Sequence, residues 1–116
     1  MTCNVNGNNV PSGVSTYPAT EGDSITVQWT ASNHPGPITH FLYGPVDNAS
    51  LATGVGQWFK IDEWDSTNGT WASDIMDEGN MTYTFNLPTG LESGDYLMRS
   101  EMLALHGAQA IGGAQL

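Results

Sequence analysis

At 116 residues, the chain has the length of one domain, able to bury about two-thirds of its unfolded surface. Twelve acidic side chains against two basic ones give a net charge of −10, which repels nucleic acid and anionic membrane and argues against both as partners. No run approaches the ~20 apolar residues of a membrane-spanning helix, and Met1 leads directly into Thr2-Cys3-Asn4, unlike a signal peptide. Fourteen glycines, abundant Asn, Ser and Thr, and short β-branched or aromatic runs suit a loop-rich all-β domain.

Residues 1–20 are rich in Asn, Gly and Pro without periodicity and read as irregular, and residues 21–23 (EGD) as a turn. Residues 24–30 (SITVQWT) alternate cleanly, with Ile25, Val27 and Trp29 facing inward, which predicts a half-buried strand. Residues 31–37 (ASNHPGP) form a loop, because two prolines flank a glycine and Pro35 keeps His34 out of the helical region. A second strand is predicted over 38–43, ended by Gly44-Pro45, with His40 on the face of Ile38 and Leu42 as a satisfied core or edge histidine. Residues 47–56 connect to a third strand over 58–64, and Asn68-Gly69 signals a turn. Residues 74–80 suit a short helical turn or an acidic loop. Residues 81–87 read as a fourth strand with Met81, Tyr83, Phe85 and Leu87 on one face.

The run 96–105 is free of glycine and proline and long enough for a central strand. Alternation puts Tyr96, Met98, Ser100, Met102 and Ala104 on one face and Leu97, Arg99, Glu101, Leu103 and Leu105 on the other. Both faces are largely apolar, as in a strand packed on both sides. Arg99 and Glu101 share a face, and a lone arginine in an apolar strand calls for a partner, so a structural ion pair is the expectation. His106 ends this run. After the glycine-rich stretch 107–113 a strand pattern resumes around Gln115, and a hairpin there would bring Gln115 back towards His106. Short strands separated by turn signals make an antiparallel β-sandwich the predicted architecture.

Residue types alone assign little chemistry. The three histidines show no HxH or HExxH spacing, and no Ser-His-Asp arrangement, phosphate loop or calcium loop is present. The acids fall into three groups (Asp62, Glu63, Asp65; Asp74, Asp77, Glu78; Glu92, Asp95), from which nothing selects a glycosidase pair. Solvated loops are their default place. Trp58, Trp64 and Trp71 could stack on sugars, although strand tryptophans more often belong to a core. Three N-x-S/T sequons, at Asn48, Asn68 and Asn80, point weakly to a secreted protein. In a secreted protein a single cysteine is unusual, so Cys3 is either a buried free thiol or paired with a partner beyond this chain.

One combination of motifs goes further. His34-Pro-Gly-Pro37, Trp58-Phe-Lys-Ile61, Gly69-Thr-Trp71, the run from Gly94 to His106 (GDYLMRSEMLALH) and Gly113-Ala-Gln115 occur in the order found in fungal lytic polysaccharide monooxygenases of auxiliary activity family 9, formerly glycoside hydrolase family 61. The chain resembles that family from Cys3 to its last residue. The resemblance implies a secreted monomer with an immunoglobulin-like β-sandwich, one copper ion and an external electron donor. It also implies oxidative cleavage of β-1,4-glucan chains at a cellulose surface. His34 matches a copper ligand of the family's histidine brace, while His106 and Gln115 match the histidine and glutamine that orient an oxygen species beside the metal. The family's N-terminal histidine, its axial tyrosine and the cysteine that would pair with Cys3 have no match within these 116 residues. That pattern implies a single partial catalytic domain over residues 1–116, with weak copper binding and doubtful activity on its own. A non-catalytic carbohydrate-binding β-sandwich is the rival reading.

Overall fold

The structure is a computed structural model that describes residues 9–30, 35–77, 81–105 and 108–111. Among these residues the regular structure is almost wholly antiparallel strands. They are β1 (Ser24–Gln28), β2 (Ile38–Val46), β3 (Phe59–Trp64), β4 (Ser66–Thr67), β5 (Thr70–Trp71), β6 (Thr82–Asn86) and β7 (Asp95–Met102). One short helix, α1 (Ala72–Asp77), and a 3-10 turn over Ala49–Leu51 complete the regular structure among the described residues. No helix among these residues is long and apolar enough to cross a membrane.

Two sheets face each other. β1 pairs with β6, and β2 lies between β3 and β7 in a three-stranded sheet. The alternation read in the sequence sets the register of the smaller sheet: Ile25 lies opposite Phe85 and Val27 opposite Tyr83, all on one face. On the other face the hydroxyls of Thr26 and Thr84 meet at 2.7 Å. The predicted β-sandwich is therefore observed, and its core gathers Ile38, Ala72, Met76 and Met81, with Trp29, Trp64, Tyr83 and Met102 packed against them.

Three expectations are corrected. β2 does not stop at Gly44-Pro45: it continues to Val46, which pairs with Asp95 across an irregularity after Tyr43. Gly44 makes the irregularity possible, since its φ of 143° is poorly suited to other residues and a Cβ there would lie 2.8 Å from the Asp95 carbonyl oxygen. The central strand among the described residues is β2, and β7 is at the edge. β7 is also not packed fully on both sides, because Met98 is 43% exposed at an open cleft of about 720 Å³ that it shares with Tyr17, Leu42, Leu91 and Tyr96. Of the helical turn or acidic loop expected over residues 74–80, the helix is observed: α1 covers 74–77 and begins two residues earlier, at Ala72.

Candidate functional site

His34, His106 and Gln115, the residues expected to form the site, lie outside the described residues, as does Cys3. The segments that lead to the two histidines are described, and they meet. The Leu105 amide donates to the Pro35 carbonyl at 2.9 Å, and the Leu103 amide to the Pro37 carbonyl at 3.0 Å. Pro35 follows His34 in the chain and Leu105 precedes His106, so one backbone hydrogen bond joins the immediate neighbours of both. From the other side, Ser73 at the start of α1 holds the same loop: its hydroxyl accepts from the Gly36 amide at 3.0 Å, and its own amide donates to the Gly36 carbonyl at 3.2 Å.

The sequence folds this way because Gly36 has no side chain. A Cβ at that position would stand 1.6 Å from the Leu103 carbonyl oxygen. Such an overlap could be relieved only by parting the loop from the 103–105 segment. Gly36 and Ser73 are both fully enclosed, so their mutual hydrogen bonds satisfy polar groups that water does not reach. Ser73 was not singled out in the sequence. Its preference for helix starts was the available signal.

The third histidine does something else. His40 is 0% exposed and stacks between the sheets on Phe85 at 4.1 Å and Tyr83 at 5.3 Å between ring centroids. Asp62 lies directly across from it on β3, with Oδ2 3.3 Å from His40 Nδ1, and the Tyr83 hydroxyl donates to the same oxygen at 2.8 Å. His40 Nε2 is buried without a hydrogen-bond partner among the described residues. Burial lowers the His40 pKa, and the hydrogen bond and charge of Asp62 offset only part of that. Tyr83 is pushed up to about 12, first by burial and then by Asp62. A neutral imidazole shut away from solvent has no route to a substrate, so this is a structural cluster, as expected of His40. The part played by Asp62 was hidden in the sequence among other acids.

Arg99 is a second ionisable group largely withdrawn from solvent. Its Nε lies 2.7 Å from Glu101 Oε1, as the shared face predicted, and its side chain is 9% exposed. The guanidinium is also flanked by the Phe41 and Trp58 rings, each with its centroid 4.6 Å away. Trp58 is thereby committed to covering Arg99, with its Nε1 donating to the Gly54 carbonyl at 3.0 Å. Trp64 packs on Tyr83 and donates to Thr67 Oγ1 at 2.9 Å. Several carboxylates hold turns, as Asp95 does for the Ala49 amide and Glu21 for the Gly90 amide.

The sequence profile of Auxiliary Activity family 9 (formerly GH61) matches residues 1–116. The chain belongs to this family. It is 72% identical over 115 residues to AA9 family lytic polysaccharide monooxygenase B of Botryotinia fuckeliana, covering 99% of this chain and 36% of that protein. Over 105 residues it is 40% identical to AA9 family lytic polysaccharide monooxygenase A of Gloeophyllum trabeum, covering 84% and 33%. Among solved structures, HiLPMO9B superposes with a TM-score of 0.83 at 28% identity, over 98% of this chain and 52% of that one. The extended catalytic domain of H. jecorina LPMO9A gives 0.72 at 36% identity, over 82% and 41%. The chain thus spans roughly a third of these curated relatives and about half of the longer structural match. Relatives named as monooxygenases do not favour the non-catalytic carbohydrate-binding reading.

Proposed function

We propose that the chain is part of the catalytic domain of a secreted, copper-dependent lytic polysaccharide monooxygenase that cleaves β-1,4-glucan chains of cellulose oxidatively, fed by an external electron donor. The observation that carries this reading is the family match across residues 1–116. The fold supports it locally. The Pro35–Leu105 hydrogen bond and the Gly36 close approach hold the chain just after His34 beside the chain just before His106, which suits a paired imidazole site. Imidazole nitrogen suits copper, so the residue types fit the metal.

Copper, when bound, supplies the one-electron oxygen chemistry. His34 would be one of its nitrogen ligands, and the remaining ligands would come from parts of the domain outside this third of its relatives' length. His106 and Gln115 would place hydrogen-bond donors beside the metal to orient the oxygen co-substrate. In the same reading Cys3 pairs with a cysteine elsewhere in the protein, and the enzyme acts as a monomer.

Calorimetry and product analysis on the full-length protein test this. One tight stoichiometric Cu(II) site and oxidised oligosaccharides from cellulose are expected, both lost in His34→Ala. Tight copper binding that survives His34→Ala would remove His34 from the site, and hydrolytic products without oxidised ends would overturn the activity.

A further inference from the structure

We infer, resting on the secreted reading above, that Asn68 carries an N-linked glycan. The residues Asn68-Gly69-Thr70 make up the tip of the β4–β5 hairpin and one residue beyond it. Thr67 pairs with Thr70, so Asn68 and Gly69 form the two-residue loop, with φ values of 50° and 82°. All six residues 65–70 are exposed, and a Cβ built on Gly69 would meet nothing within 4 Å, so the tip projects into open space.

Two of the three sequons can be compared atom by atom, the one at Asn80 lying outside the described residues. At Asn48 the polar groups already have structural work. Asn48 Oδ1 accepts from the Ser50 amide at 3.1 Å and from the Ser50 hydroxyl at 2.6 Å, capping the 3-10 turn. Capping alone explains both the Asn and the Ser there. At the hairpin tip, Asn68 and the Thr70 hydroxyl make no side-chain hydrogen bond among the described residues. The turn accounts for Asn68, since Asn tolerates positive φ, but it makes no demand on the hydroxyl two residues later. A hydroxyl at that position is what acceptor recognition requires.

The transfer is a substitution at the anomeric carbon of an oligosaccharide carried on a polyprenyl pyrophosphate. The bond from that carbon to the pyrophosphate oxygen breaks, a bond to Asn68 Nδ2 forms, Nδ2 loses one proton, and the lipid pyrophosphate leaves. The tip has room for the product, because neither Nδ2 nor the space around Gly69 is occupied by described protein atoms.

Mass mapping decides the matter. The full-length protein is expressed with its own leader in a secreting fungal host, recovered from the medium, and digested with chymotrypsin. Cleavage after Trp64 and Trp71 isolates residues 65–71, which contain Asn68 without the other two sequons. Removal of N-glycans by an amidase in heavy-oxygen water should leave heavy-oxygen aspartate at position 68 in most molecules. Spontaneous deamidation of Asn68-Gly69 before that step would introduce ordinary oxygen instead. Thr70→Val, which keeps Asn68 in its turn, should abolish the label, whereas Asn48→Gln should not. Secreted protein with unlabelled Asn68, or label surviving Thr70→Val, overturns this site while leaving the secreted reading intact. Protein that never reaches the medium overturns both.

Discussion

Two ionisable groups sit one register step apart in the same sheet and on opposite faces, and they keep house differently. His40, opposite Ser100, points between the sheets and gives up its charge, because an imidazolium there would have lost its water with one carboxylate in reach and Nε2 unpartnered among the described residues. Arg99, opposite Phe41, cannot give up its charge and instead collects partners: Glu101 at Nε, and two aromatic rings. Burying a titratable group therefore follows two rules in one small domain. A group that can become neutral does so, and one that cannot is wrapped.

The largest break of this contrast comes from Arg99→Met in the full-length protein. It leaves Glu101, only 17% exposed at its side chain, without its partner. Removing one member of a buried pair costs about 3–5 kcal/mol, and a denaturation midpoint lowered to match is the expected result. A shift no larger than that of a surface variant would mean that the aromatic rings, and not the pair, secure this strand.

His40→Phe sharpens the other half. An aromatic ring is kept in the stack and the orphaned Nε2 removed, but phenyl is larger than imidazole, so repacking should cost about 1–3 kcal/mol at neutral pH. The pH profile should change more tellingly. The unfolded histidine titrates near 6.5 and the folded one lower. As pH falls from about 6.5 towards the depressed folded value, the unfolded state binds more protons and wild-type stability declines. Above about 6.5 this histidine contributes no slope. Midpoints measured across this window should show the variant gaining on the wild type as pH falls. A gap that is constant with pH would show that His40 titrates alike in both states.

Lys60→Met should have the smallest effect. Lys60 makes a 2.6 Å pair with Glu63, but both side chains are about half exposed. Solvent screens such exposed pairs. No resolvable shift of the denaturation midpoint is expected, and a shift rivalling that of Arg99→Met would erase the distinction between wrapped and exposed charge.

What the sequence allowed to be read follows from how local each signal is. The β1 alternation and the Arg99–Glu101 pair depend on residues one or two apart, and both appear in the structure as read. The continuation of β2 through Gly44-Pro45 was illegible, because those residues ordinarily stop a strand and only the distant pairing of Val46 with Asp95 carries it on. The edge position of β7 among the described residues was hidden for a similar reason: apolar faces say that a strand has cover, not which strands flank it. Asp62 serves His40 and Tyr83 from 22 and 21 residues away, beyond any local pattern. His34, His106 and Gln115 carry no autonomous metal spacing, and only the family's motifs suggest them as site residues.

The Gly36 contact also has a consequence in time. Residues 35–37 read as a proline-flanked surface turn, the kind of segment whose amides exchange with solvent readily. Here the Gly36, Leu103 and Leu105 amide hydrogens are all held in bonds that cross between separate parts of the chain. The Gly36 amide can exchange only when the loop parts from the start of α1, and the Leu103 and Leu105 amides only when it parts from the segment after β7. Amides so tied share the slow opening of core strands rather than the fast fraying of loops. The loop after His34 therefore keeps the clock of the sandwich itself.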